Sequence, residues 1–350
     1  MKRGKVVAFL GIITIALQIG IFFILDWQTE QLLNPSFRID KPYSIKDDLC
    51  RASNHSLSFN NRYLAYISEN LLNVIDLTNN KIVFSSLHQR PNSILGYKWL
   101  PDRNSMVYLV KNNSDIDYTT SLFSLNFDTA PTAPTSNLDF TFSPKLDRLF
   151  NQFIHEIITI EVSTYTNNLY ILYSDKDQNK RLITIDIMKN INRLDKATEH
   201  ILAMSVSNKF GTVYVETSKK SIYSVKGREW DLITDNPANK LLGCQDNLLF
   251  IGKTKGTSLQ KILLYSVGIP NNQPKKDILW EGNISLNHHK VIISPDHKVF
   301  FQGAERLDIV YPDGKCISKK TSNSTIVLSP TGKMYLEILP KLNKYYWRSI

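Results

Sequence analysis

The chain has 350 residues, 42% of them hydrophobic, with 42 Lys and Arg against 32 Asp and Glu and a formal net charge of +10. That length and apolar content suffice for a sizeable core, whereas three cysteines are too few for a disulfide framework and lack metal-ligand spacing. The basic residues come as scattered pairs, Lys219-Lys220, Lys275-Lys276 and Lys319-Lys320, a pattern of solvated strand edges that argues against a nucleic-acid partner.

In chain order, Val6 to Leu25 is a run without a charge and with one strongly polar side chain, Gln18. At ~1.5 Å per residue it covers the ~30 Å of a bilayer's hydrocarbon core. It is expected to span as a helix, because lipid offers no partner for backbone polar groups. Lys2, Arg3 and Lys5 precede it, and Asp26 and Glu30 follow. The positive-inside rule then puts residues 1–5 in the cytoplasm and the rest of the chain outside, with Trp27 at headgroup level. A cleaved signal peptide would need a small-x-small site, and Ile24-Leu25-Asp26-Trp27 offers none. The expected organisation is a flank (1–5), a signal anchor (6–25), a juxtamembrane segment (26–36) and a β domain (37–350). This describes a single-pass protein of the cell membrane with its C-terminal domain extracytoplasmic. Pro35 to Phe37 leaves almost no linker, so the domain should lie close to the bilayer.

Beyond the anchor a unit recurs: a turn, an aromatic-rich strand, a second turn and an alternating strand. The aromatic-rich strands are predicted at 63–67, 106–110, 169–173, 212–215, 248–251, 299–301 and 334–336. Their partners are predicted at 72–77, 121–127, 182–187, 221–225, 262–267, 307–311 and 344–350. Tyr66 to Tyr335 spans six intervals of about 45 residues, each the length of one four-stranded propeller blade. The fold class is therefore all-β, a seven-bladed β-propeller, with six or eight blades as the alternatives. The last unit stops at its third strand, and Phe37 to Cys50 is expected to supply the fourth, so that the ring closes without an open edge. Residues 128–153 disturb the count. Ala130-Pro-Thr-Ala-Pro134 reads as a loop, and Ser143-Pro144 before Leu146, Leu149, Phe150 and Phe153 reads as a capped helix. A degenerate turn and strand of an eighth blade is the other reading.

The turns Ser294-Pro-Asp-His297 and Ser329-Pro-Thr-Gly332, with Leu100-Pro-Asp-Arg103 as a partial copy, resemble the Ser-Pro-Asp-Gly turns of TolB-like, WD40-like bacterial propellers. They are also similar to those of the propeller domain of prolyl oligopeptidases. The resemblance covers roughly residues 50–350 as a repeat pattern and implies a propeller that binds proteins or peptides.

No catalytic motif accompanies the repeats. Gly256-Thr-Ser-Leu-Gln260 lacks the second glycine of a nucleophile elbow, and no hydrolase domain is expected after the last blade. Asp175, Asp177 and Asn179 have the alternating oxygen spacing of a calcium loop, but Lys180 stands where a glycine is needed and no Glu completes the shell. Asx-type turn chemistry explains the same residues, as it does Asp115 and Asp117. His288, His289 and His297 invite zinc, yet adjacent strand residues point to opposite faces. Cys50 and Cys316 are the pair best placed for one bridge, with free buried thiols the alternative. The expectation is a non-enzymatic protein-, peptide- or wall-binding module without a cofactor. Its alternative is a hydrolase or lyase holding a metal in the propeller channel, with ligands drawn singly from different blades.

Overall fold

The structure is a computed structural model of the chain. It describes residues 52–86, 93–113, 118–129, 144–150, 154–196, 198–266, 276–286, 290–303, 305–321, 324–342 and 344–350, together with Gln18, Gly20, Ile21, Phe22, Tyr43, Ser44, Leu49 and Phe142. The uncharged run 6–25, expected to span a membrane, otherwise lies outside the described residues. Its four described members are helical and exposed. Among the described residues no helix is long and apolar enough to cross a membrane.

The strands form seven antiparallel four-stranded sheets, which we number as blades 1–7 in chain order and whose strands we letter a to d. Blade 1 is Ser53–Leu57, Tyr63–Ser68, Leu71–Asp76 and Lys81–Ser85; blade 2 is Ser93–Trp99, Ser105–Asn113, Tyr118–Asn126 and Lys145–Phe150. Blade 3 is Glu156–Ser163, Asn168–Ser174, Lys180–Ile185 and Ile191–Arg193; blade 4 is Ile201–Val206, Val213–Thr217, Ile222–Lys226 and Glu229–Thr234. Blade 5 is Asn239–Gln245, Leu248–Lys255, Ser258–Ser266 and Lys276–Ser285; blade 6 is Lys290–Ile293, Val299–Gln302, Arg306–Val310 and Cys316–Lys320. Blade 7 takes Thr325–Leu328, Met334–Leu339 and Lys344–Ser349 from the C-terminus and its outer strand, Tyr43–Ser44, from the N-terminal side.

That outer strand closes the ring as the sequence predicts. Tyr43 lies opposite Tyr345 and Ser44 opposite Lys344, antiparallel. Leu49, only 1% exposed, then enters the core between blades 7 and 1 beside Leu57, Tyr66, Tyr345 and Trp347.

Each blade junction holds one apolar cluster, seven in all. The b strands explain why the aromatic runs were so visible. Side chains alternate across a strand, so Tyr63 and Ala65 pack toward blade 2 while Leu64 and Tyr66 pack toward blade 7. A strand buried on both sides reads as a continuous apolar run.

One expectation is overturned. Residues 145–150 form the outer strand of blade 2, not a helix, and there is no eighth blade among the described residues. Lys145 pairs with Ser124 and Phe150 with Thr120. Leu146 and Leu149 are 49% and 52% exposed, and only Phe150 is buried. The helical spacing of these leucines was thus a coincidence on an outer strand, where one face meets solvent. Ser143 and Phe153 lie outside the described residues.

Antiparallel strands place successive connections on opposite faces of the disc. The a–b and c–d turns share one face, here the lower. The b–c hairpins and blade-to-blade connections share the other, the upper. Contacts between neighbouring a strands put these strands at the axis.

Candidate functional site

At the axis, Lys98 of blade 2 reaches Glu161 of blade 3, with Nζ 2.9 Å from Oε2. Lys290 opens the a strand of blade 6. Burial lowers its pKa, and the Lys98 ammonium lowers it further. His55, on the a strand of blade 1, donates through Nε2 to the Leu49 carbonyl at 3.1 Å. Burial lowers its pKa too, against that hydrogen bond and with help from Lys290, so the ring is neutral at pH 7. His55, Ser56 and Lys290 line a cavity of about 170 Å3 beside blades 6 and 7. Among the described residues, the axis thus brings together Lys98, Lys290 and the Glu161 carboxylate, which is already paired to Lys98. A divalent cation needs several oxygen or imidazole donors. Among the described residues no three His, Cys, Asp or Glu side chains come together to hold a metal.

The lower-face turns account for the Ser-Pro motifs. Ser294 accepts at Oγ from the Lys298 N–H and donates to Asp296 at 2.5 Å. Ser329 shares a 2.7 Å bond with Thr331. Ser58, Ser163 and Ser207, all fully buried, do related work without a proline. Ser58 accepts from the Tyr63 N–H at 3.0 Å. Ser163 donates to the Asn208 carbonyl at 2.5 Å and Ser207 to the Asp246 carbonyl at 2.6 Å, each reaching the next blade. The sequence signal was a serine at the end of the a strand in five of the seven blades, hidden where proline did not follow, with Leu100 and Asp246 in its place in blades 2 and 5. These serines fix turns and carry no nucleophile chemistry. His297 sits in the Ser294 turn with φ +63° and its Nε2 buried without a hydrogen-bond partner; His288 and His289 lie outside the described residues.

In the blade 3 hairpin the Asp175 carboxylate accepts from the backbone N–H of Asp177 and Asn179 at 3.0 and 2.9 Å and from Arg181 at 2.9 Å. Desolvation would raise its pKa, but these donors hold it below the usual carboxylate range. This is an Asx turn clamped by arginine, and Arg181 stands where a calcium ion would need an acceptor. Asp115 and Asp117 lie outside the described residues.

Cys316 is a free thiol on the outer strand of blade 6, and Cys244 is a free thiol on the a strand of blade 5. Burial, with Asp246 and Glu161 nearby, pushes the Cys244 thiol up to about 12. Cys50 lies outside the described residues.

Two surfaces remain. On the upper face, Lys220, Lys240, Asn239, Thr254 and Leu286 line a pocket of about 430 Å3 where blades 4 and 5 meet. Lys253 and Lys255 are exposed beside it. Glu216 holds Lys220 at 3.1 Å and Glu199 holds Lys219 at 3.0 Å, and among the described residues Lys240, Lys253 and Lys255 make no ion pair. Lys276 and Lys319-Lys320, by contrast, lie on outer strands, as the edge-strand reading expects. On the lower face, Tyr165, Ile187, Met188 and Phe210 are 73%, 65%, 76% and 42% exposed.

Seven closed four-stranded blades decide the architecture. It is a seven-bladed β-propeller. Among solved structures the chain is similar to the β-propeller domain of Cps50 (Swd1) from Myceliophteria thermophila, with a TM-score of 0.55 at 10% identity over 89% of this chain and 99% of that one. A chain of a mitotic checkpoint complex matches with a TM-score of 0.55 at 10% identity, covering 90% of this chain and 94% of that one. At such identity the likeness shows the fold of the propeller alone. No protein-family model matches the sequence, and no curated protein matches it.

Proposed function

We propose that this propeller is a membrane-anchored, extracytoplasmic binding module that presents its upper face to an acidic protein or peptide. The observation that carries the reading is the basic rim of blades 4 and 5, where Lys220, held by Glu216, and Lys240 line a pocket and Lys253 and Lys255 are exposed on the strand that borders it. Unpaired ammonium groups at a pocket mouth attract acidic partners and raise their association rate. The uncharged run Val6 to Leu25, with basic residues only before it, supports the anchor and its orientation. The Ser294 and Ser329 turns support a TolB-like affiliation. A scaffold whose polar turn residues are spent on blade-to-blade bonds suits binding better than catalysis, and the cationic axis does not favour the metal-enzyme alternative.

The test is crosslinking and pull-down of the full-length chain from solubilised membranes, alongside the triple variant Lys240→Glu, Lys253→Glu, Lys255→Glu. The expected result is a specific partner whose recovery falls at least tenfold in the variant while its melting curve is unchanged. A monodisperse monomer without a specific partner, or a partner indifferent to the charge reversal, overturns the reading.

A further inference from the structure

Among the described residues, four large exposed apolar side chains stand on lower-face turns of blades 3 and 4. Tyr165 tips the a–b turn of blade 3, Ile187 and Met188 tip its c–d turn, and Phe210 tips the a–b turn of blade 4. The two a–b turns are bonded together. The Thr164 N–H donates to Asn208 Oδ1 at 2.7 Å, and the Tyr170 hydroxyl donates to the Gly211 carbonyl at 2.8 Å. Ile187 lines a pocket of about 220 Å3 with Thr164 and Asn167, on the side of blade 3 that faces Arg103 and Asp147 of blade 2. Asn167, Lys189 and Gly211 turn the chain at positive φ, at +54°, +64° and +62°, so these are tight turns that hold their tips outward. Single exposed apolar residues are ordinary, but four on rigid turns of two adjoining blades, all on one face, mark a contact surface.

The position of the patch selects its occupant. Strand Tyr43–Ser44 runs antiparallel to Lys344–Ser349, which itself ends at the lower face, so the chain enters the ring from the lower side. The uncharged run Val6 to Leu25 precedes that point in sequence. Blade 7, where the chain enters, stands half a turn around a seven-membered ring from the junction of blades 3 and 4. A disc tethered at one rim needs a second contact across the same face to lie flat, and Ile187 and Met188 on an outer c–d turn, with Tyr165 and Phe210 on a–b turns nearer the axis, lie on that opposite half. The flanking charges fit a lipid surface. Lys209 lies 5.5 Å over the Phe210 ring, and Lys189 is 3.2 Å from Asp147. Asp186, a carboxylate of the same c–d turn, is engaged by Asn190 at 2.9 and 3.0 Å. Tyr and Phe side chains with neighbouring lysines match the headgroup layer, where aromatic rings insert and ammonium groups reach phosphate.

We infer that Tyr165, Ile187, Met188 and Phe210 insert into the outer leaflet and seat the propeller flat on the membrane, opposite its tether. The inference rests on the anchor reading, and its test separates the two. Bimane is attached at Met188→Cys or Phe210→Cys, with Lys219→Cys on the upper face as the reference, in the full-length chain with its three native cysteines changed to alanine. The protein is reconstituted in phosphatidylcholine–phosphatidylglycerol vesicles with and without brominated acyl chains. Insertion by ~5–10 Å predicts about a twofold loss of emission at positions 188 and 210 in brominated vesicles and none at position 219. Flotation with the vesicles but no quenching at 188 and 210 overturns the seating and leaves the anchor standing. Equal quenching at all three positions, or emission that follows protein density rather than bromine, as a second copy on the patch would give, also overturns it. Failure to float removes the anchor, and the inference with it.

Discussion

Replacing Leu49 by alanine tests the closure of the ring at a single side chain. Leu49 is 1% exposed and packs between blades 7 and 1 with Leu57, Tyr66, Tyr345 and Trp347, while its carbonyl accepts the His55 Nε2–H at 3.1 Å. Truncation keeps that hydrogen bond and removes only the buried side chain. Core Leu→Ala changes cost about 2–5 kcal/mol, the transfer of the lost atoms plus the cavity they leave. At about 2.1 cal/mol/K per residue, a domain of about 300 residues shifts by roughly 1.6 °C per kcal/mol, so the melting midpoint should fall by roughly 3–8 °C. The assay is thermal and urea unfolding of the full-length chain in detergent. Leu342→Ala is the control, because that leucine is 59% exposed and should leave the midpoint unchanged. Deleting residues 36–50 should cost more than Leu49→Ala, since it also bares the edge of Lys344–Ser349. A midpoint that moves no more for Leu49→Ala than for Leu342→Ala would refute the reasoning, and so would an unchanged curve for the deletion.

Three further outcomes are expected. Gly332 has φ +68° and a Cβ there would lie 2.4 Å from Ser294 Cβ, whereas Gly256 has φ +61° and open space around it. Gly332→Ala should therefore destabilise by about 2–4 kcal/mol and Gly256→Ala by only about 1 kcal/mol, read from urea midpoints; equal effects would show that the turns do not pack blade on blade. Burial tends to raise the Asp76 carboxyl, but Arg62 at 2.7 Å and Thr78 at 2.6 and 2.9 Å outweigh it and hold the pKa below the usual value. A depressed folded-state pKa gives stability that is present above the unfolded value of ~3.9 and lost as pH falls through the folded one. Asp76→Asn should accordingly lower stability at pH 7 and flatten its decline below pH ~4 in acid titrations, and an unaltered slope would count against the pairing. The Cys244 thiol, pushed up to about 12 by burial, should resist iodoacetamide at pH 8 in the folded protein and react after unfolding. Rapid native labelling followed by mass spectrometry would contradict this.

The repeat was legible because the b strands are buried on both sides, and Tyr63 to Tyr66 or Phe300-Phe301 cannot be mistaken for loops. The missing outer strand followed from counting, since a blade that ends at its third strand leaves an edge to be covered. Where burial is one-sided the signal failed. Leu146 and Leu149 are half exposed, and their spacing imitated a helix. The turn serines were found only where proline followed, so Ser58, Ser163 and Ser207 passed unnoticed although they bond as Ser294 and Ser329 do. Neither candidate surface has a local signature. Tyr165, Ile187 and Phe210 come together through the stacking of blade 3 on blade 4 and through the facing of two turns in one blade. Lys220, Lys240, Lys253 and Lys255 likewise reach one rim from separate strands of two blades.

The short strand Tyr43–Ser44 has a mechanical consequence. A pull transmitted from the lower side acts along the strand axis, in the direction that slides it past Lys344 and Tyr345. Its ladder bonds then carry the load together, in shear, instead of opening one after another from an end. Behind them Leu49 is wedged in the junction of blades 7 and 1, too wide to pass without disturbing Trp347 and Tyr66. The closure is thus strongest against force along the strand from the lower side and weakest against peeling from the upper end. Single-molecule pulling from the two sides should yield different rupture forces for the same seam.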